Sequence, residues 1–213
     1  MGQILLTGAT GFLGSHLLEA FLKEGHQVTA TKRRNSNMWR IESMRPHCEI
    51  VNINEIPAEK LMRQRQFDAV IHTVCDYGRQ GHSAFEITRT NLMLGLELLD
   101  AAVNNGVNTF INTDSLLSPD VNAYALSKHQ FVDWLKFYSN RIQVINLRLE
   151  HMYGPKDDPT KFVSWLLTQF KTKVKRIPLT EGYQKRDFVF ITDVVNAYKA
   201  TFNASSELTE YTD

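Results

Sequence analysis

The chain is poor in the residues that would mark several classes of protein. Only two cysteines occur in 213 residues, Cys48 and Cys75, without CxxC spacing, so neither a disulfide framework nor a thiolate metal site is expected. Both sit in or beside apolar runs and read as buried free thiols. Seven histidines are scattered without the i, i+4 pairing a helical metal site uses, and no metal is expected. No apolar run approaches the roughly 18 residues that a membrane span needs. The N-terminus also lacks a charged segment followed by an uninterrupted apolar one. Neither charge sign dominates, since 24 Lys and Arg face 23 Asp and Glu, which gives no footprint for nucleic acid or a membrane surface. A cytoplasmic globular protein with a sizeable core is expected.

What is present is a rhythm. Short apolar runs at Ile4–Thr7, Val28–Thr31, Glu49–Ile53, Ala69–Val74, Phe110–Thr113 and Val144–Leu149 read as strands. Helical patterns fall between them at His16–Glu24, Ala58–Arg65, Phe85–Asn104 and Tyr124–Tyr138. This alternation predicts an α/β fold with a parallel, doubly wound sheet over residues 1–150. The third helix is apolar around much of its circumference through Ile87, Leu92, Leu96, Leu99 and Val103. Its second face needs a cover, which is either another part of the chain or the partner subunit of a homodimer.

After Leu149 the pattern changes. A turn-rich stretch, Tyr153-Gly-Pro-Lys-Asp-Asp-Pro159, leads into an amphipathic segment marked by Phe162, Trp165, Leu166 and Phe170, then a basic run from Lys171 to Arg176. Residues 151–213 read as a small lobe at the carboxyl edge of the sheet. Within them 187–204 return to the main domain as a strand and a helix with Thr192 or Asp193 as N-cap.

Two stretches carry chemistry. Gly8, Gly11 and Gly14 follow the first strand directly and precede a helix, the setting in which a glycine pattern gains meaning. Gly8 suits the tight turn, Gly11 the close approach of a diphosphate, and Gly14 the packing of helix on strand. Thr10, Phe12 and Leu13 complete a loop whose amides face the positive end of the helix dipole, so a dinucleotide cofactor is expected there. The second strand ends in Lys32, Arg33 and Arg34, where a site for NAD would usually place an acid. Bases at that position suit a 2′-phosphate and favour NADP over NAD, the alternative being solvated loop charges.

Tyr124 and Lys128 lie four residues apart and one helical turn on the same face. An ammonium near a phenol favours the phenolate and lowers the tyrosine pKa from about 10. Such a phenol can give a proton to a carbonyl oxygen while hydride arrives at carbon. The loop Asn112-Thr-Asp-Ser115 adds a hydroxyl at the carboxyl end of a strand. Ser115 is the first choice and Thr113 the second, because counting from Phe110 and from the strand end gives different answers.

With these residues the chain resembles the extended short-chain dehydrogenase/reductase family, which includes nucleotide-sugar epimerases, dehydratases and reductases. The similar runs are Thr7-Gly-Ala-Thr-Gly-Phe-Leu-Gly14, Asn91 with Leu98-Leu-Asp-Ala-Ala102, Tyr124 with Lys128, Leu147-Arg-Leu with Tyr153-Gly-Pro155, and Arg186-Asp-Phe-Val-Phe with Asp193-Val-Val. The resemblance implies a Rossmann-type NAD(P)-binding domain and a catalytic set of Ser115, Tyr124 and Lys128, with Lys128 also on the nicotinamide ribose. It places Asn52 near the adenine, and Thr113, Asn91 and Arg186 near a nucleotide-sugar substrate, Arg186 at its phosphates. Closer likeness runs to the nucleotide-deoxysugar 4-ketoreductases of bacterial O-antigen and lipopolysaccharide biosynthesis. It implies reduction by NADPH of a 4-keto group on a CDP-linked sugar. Dehydratases of the family carry Thr-Asp-Glu where this chain has Thr113-Asp-Ser115, which disfavours expulsion of water. An epimerase and a non-catalytic NADPH-binding module stay open as alternatives. Two departures stand out: Asn52 and Asn54 replace a frequent acid, and Leu94 replaces a frequent glycine. The family pattern also continues past the Asp193 helix, so residues 151–213 supply only part of a substrate lobe.

Overall fold

A computed structural model describes residues 1–213, the Gln80 side chain excepted. Nine strands and seven α-helices alternate along it. They are β1 (Gln3–Thr7), α1 (Phe12–Lys23), β2 (Gln27–Lys32), β3 (Glu49–Asn52), α2 (Ala58–Gln64), β4 (Ala69–His72), α3 (Ala84–Thr88), α4 (Leu94–Asn104), β5 (Thr109–Ser115), α5 (Ala123–Tyr138), β6 (Gln143–Leu149), β7 (His151–Tyr153), α6 (Phe162–Lys171), β8 (Phe188–Phe190), α7 (Ile191–Asn203) and β9 (Tyr211–Thr212). The main sheet is wholly parallel in the order β3-β2-β1-β4-β5-β6-β9. The six expected strands are all in it, and β9 adds a seventh beside β6, pairing Val144 with Tyr211. Strand order reverses between β1 and β4, which opens a crevice at the carboxyl ends of both.

Both faces of the sheet are covered, so its strands read as continuous apolar runs rather than alternating ones. Ile4 and Leu6 of β1 pack with Ile71, Ile111 and Ile145 beneath α1 and α7, where Leu17, Phe21, Val194 and Tyr198 are buried. Leu5 points the other way and packs with Val70, Phe110 and Val144 beneath α2, α4 and α5, against Leu61, Leu98, Phe131 and Leu135. Each such side chain contributes about 1.5–3 kcal/mol by leaving water.

Three local expectations are corrected. The single helix expected over Phe85–Asn104 contains a π turn at Arg89–Met93, and Gly95 rather than Leu94 makes the close approach. A Cβ on Gly95 would lie 2.8 Å from the Phe131 ring, so α4 can sit this close to α5 only with glycine there. Helix α7 starts after Phe190 without a side-chain cap, so neither Thr192 nor Asp193 is its N-cap. The strand β8 pairs with β7 in a separate two-stranded sheet, while α7 packs on α1 in the main domain. No helix among the described residues is long and apolar enough to cross a membrane. No group of His, Cys, Asp and Glu among them could hold a metal ion.

Candidate active site

The glycine loop is shaped by contacts that leave no room for side chains. Gly8 has φ +71°, in the left-handed region, and a Cβ there would lie 2.6 Å from Thr73 Oγ1. A Cβ on Gly14 would lie 2.2 Å from Gly8 O, so α1 enters the loop at a distance only glycine permits. Gly11 N donates to Gly8 O at 2.9 Å and closes the turn. Gly11 is also the N-cap of α1 and offers no capping side chain, which leaves the first-turn amides free for an anion. These residues fit the diphosphate of a dinucleotide.

Lys32 ends β2 in register with Asn52 of β3. Lys32 and Arg33 form no ion pair among the described residues, whereas Arg34 pairs with Glu55 at 3.3 Å. The Asn52 amide is engaged locally. Nδ2 donates to Glu55 Oε1 at 2.6 Å and Oδ1 accepts from Asn54 N at 3.2 Å, which holds the turn after β3.

From Gly8 the crevice continues through Thr73, whose hydroxyl donates to Thr7 O at 2.7 Å, to Cys75 beyond β4. Cys75 is partly buried, and burial pushes its thiol above the ordinary pKa. It lies within electrostatic reach of both Tyr124 and Lys128. Asn122 sets the phase of α5: its side chain accepts from Ala125 N at 2.8 Å, which starts the helix at Ala123 and puts Tyr124 in the first turn. Tyr124 is then 9% exposed and Lys128 one turn later 2%. Strand β5 runs to Ser115, two residues past the expected end, which brings the Ser115 hydroxyl close enough to Tyr124 to favour its phenolate. Thr113 Oγ1 lies 2.6 Å from Tyr198 OH and so joins β5 to α7.

The electrostatics differ from expectation in one respect. Burial, and then the proximity of Cys75, push the Tyr124 phenol well above its ordinary pKa; the Ser115 hydrogen bond pulls it down and Asp114 raises it again. Lys128 is not among the groups that lower it. The Lys128 ammonium itself is held below the usual lysine range by burial, against the attraction of Cys75 and Asp114. Tyr124 therefore stands protonated at neutral pH, the state of an acid.

Asn91 lies in the π turn. It is fully buried, and its side chain is spent on the scaffold rather than offered to substrate. Its Oδ1 accepts from Asp76 N at 2.6 Å, and its Nδ2 donates to Asp76 O at 2.9 Å and Ser127 Oγ at 3.0 Å. Arg186 is exposed and donates to Lys185 O at 3.2 Å, so the structure does not join it to Ser115, Tyr124 or Lys128. Glu150 accepts from Asp187 N at 3.1 Å and ties β7 to β8.

Sequence reasoning missed Arg40. Its Nε donates to Lys156 O at 3.0 Å and its Nη1 to Thr10 O at 3.5 Å, with the guanidinium 4.5 Å from the Trp39 ring. Arg40 thus pins the 154–161 loop over the glycine loop, where His16 Nε2 also donates to Pro155 O at 3.0 Å. Nothing in its local sequence marks it, because both partners are distant in the chain.

The pattern of the NAD dependent epimerase/dehydratase family matches residues 4–211. CDP-abequose synthase of Salmonella typhimurium strain LT2 is 35% identical over 222 residues, covering 99% of this chain and 73% of the relative. A putative UDP-glucose 4-epimerase of Methanocaldococcus jannaschii is 23% identical over 97% of this chain and 75% of its own. Among solved structures, UDP-glucuronic acid 4-epimerase from Bacillus cereus, in complex with UDP-glucuronic acid and NAD, superposes with a TM-score of 0.83. It is 23% identical and covers 99% of this chain and 76% of its own, a likeness of fold.

Proposed function

The chain belongs to the NAD dependent epimerase/dehydratase family, and within it we propose an NADPH-dependent reductase of a 4-keto group on a nucleotide-linked deoxysugar. The observation that carries this reading is the 35% identity to CDP-abequose synthase along nearly the whole chain. A CDP-linked hexose is the first substrate to test. A protonated Tyr124 beside the Ser115 hydroxyl suits reduction, which consumes a proton at oxygen. Asp114-Ser115 in place of an acid pair argues against dehydration.

The glycine loop of Gly8, Gly11 and Gly14 would hold NADPH, which would supply the hydride for the carbonyl carbon. Ser115 donates a hydrogen bond to the carbonyl oxygen and fixes its direction. Tyr124 gives its phenolic proton to that oxygen, so the C=O bond becomes CH–OH and the phenolate is left behind. Lys128, buried one helical turn on from Tyr124, would hold the ribose hydroxyls of the cofactor. Lys32 and Arg33, free of acidic partners, would take the 2′-phosphate.

The test is to incubate the protein with NADPH and CDP-, dTDP-, UDP- and GDP-linked 4-ketosugars and follow the absorbance of the reduced nicotinamide. Stoichiometric loss with one of them is expected. Conversion of a sugar nucleotide without net cofactor oxidation would overturn the reading in favour of an epimerase. Silence with all four would overturn it in favour of a binding module.

A further inference from the structure

Tyr77 has no part in the reading above, yet it lies against the proposed acid. Its ring centroid is 4.8 Å from that of Tyr124, tilted by 37°. Tyr77 is 46% exposed. The segment Asp76–Gly78 is built to hold it there. Asp76 is clamped through both main-chain groups by Asn91, and Gly78, at φ +71°, donates its N–H to Asp76 Oδ1 at 2.9 Å. Arg79 lies 5.3 Å over the ring while pairing with Asp158 at 3.3 Å.

The same Asn91 reaches Tyr124 from behind. Its Nδ2 donates to Ser127 Oγ at 3.0 Å, and the Ser127 hydroxyl donates to Tyr124 O at 2.9 Å. The backbone of Tyr124 and the loop that presents Tyr77 are therefore referenced to one buried amide. A ring carried on that loop meets the Tyr124 ring at a fixed distance.

We propose that Tyr77 is a positioning residue for Tyr124: its ring covers one face of the phenol, fixing its direction and keeping water from it. The role of Tyr124 as acid rests on the function proposed above. The groups facing Tyr124 are Cys75 and Tyr77 from the segment after β4 and Asp114 and Ser115 from β5, with Lys128 one turn on along its own helix and Arg79 beyond Tyr77. Replacing Tyr77 changes the cover without changing charge at neutral pH. Without the cover, water solvates the phenolate and the phenol becomes a stronger acid. The pH above which reduction fails, because Tyr124 has lost its proton, must then fall.

Tyr77→Leu is expected to lower kcat about tenfold with KM changed less than about threefold, and to move the alkaline limb of kcat down by at least about half a pH unit. Tyr77→Phe, which keeps the ring, restores both. A merely structural loss lowers kcat equally at every pH. Melting temperature and NADPH affinity serve as controls, and Tyr77→Met replaces the leucine variant if that one is unstable. An unmoved limb in a folded, NADPH-binding Tyr77→Leu or Tyr77→Met protein would overturn the proposal. So would a phenylalanine variant that behaves like leucine. The second readout needs no substrate: nitration of Tyr124 by tetranitromethane, quantified on its peptide by mass spectrometry. It is expected to be at least about fivefold faster in Tyr77→Leu than in wild type, because nitration requires an accessible phenolate. Equal nitration rates would reject the cover even if no ketosugar is reduced, which separates this failure from failure of the reductase reading.

Discussion

Replacing His72 with phenylalanine is expected to remove one specific source of acid sensitivity from the fold. His72 ends β4, is fully buried, and lies with Nδ1 2.8 Å from Thr7 Oγ1 while Nε2 has no partner. The rings of Phe110 and Phe131 flank it at 6.0 and 5.8 Å. Burial, and then the nearby Lys128 ammonium, lower its pKa to about 3. The unfolded chain titrates this residue at about 6.5, so below that pH it binds a proton that the native chain refuses. The stabilisation is complete above about pH 6.5 and is lost as pH falls toward about 3. Between pH 7.5 and pH 5 the loss is ~2 kcal/mol. For a urea slope of about 2 kcal/mol per molar, the wild-type midpoint should fall roughly 1 M further than that of His72→Phe over this interval. The variant also loses the Thr7 hydrogen bond, a cost of about 1 kcal/mol that applies at both pH values and cancels. Urea titrations followed by circular dichroism at the two pH values measure the difference. Equal midpoint shifts in the two proteins would refute the reasoning.

Two further outcomes follow from the cofactor loop. Gly14→Ala places a methyl 2.2 Å from Gly8 O and forces the loop to move, so NADPH affinity by calorimetry should fall by at least about 30-fold, with a stability loss of about 1–3 kcal/mol. Replacing Lys32 and Arg33 with Asp and Asn should raise the Michaelis constant for NADPH at least about tenfold while changing that for NADH less than about threefold. Equal effects on the two cofactors would remove the 2′-phosphate assignment.

The main domain was legible because its signals are local. Period and turn residues mark β1 through β6, and the glycines stand where strand meets helix. Tyr124 and Lys128 could be paired from spacing alone, since four residues make one helical turn. The rest depends on where elements end and on what meets across the chain. Thr113 and Ser115 could not be separated because no residue announces that β5 continues to Ser115. Asn91 lies in a helical run with nothing to show that its amide would close on Asp76, 15 residues away, and on Ser127, 36 away. Arg40 acts through main-chain carbonyls 30 and 116 residues distant, which leave no pattern. Strand β9 is two residues long and forms only because β6 presents an edge. The pKa of Tyr124 went the other way because burial raises it and the Lys128 neighbour that spacing suggested does not lower it.

Tyr124→Phe tests the central claim most directly, since it deletes one hydroxyl from a buried ring and leaves the glycine loop intact. Turnover of a nucleotide-linked 4-ketosugar should fall by about 10² to 10⁴ while the NADPH dissociation constant stays within about threefold. Turnover that survives the loss of that hydroxyl would contradict the account.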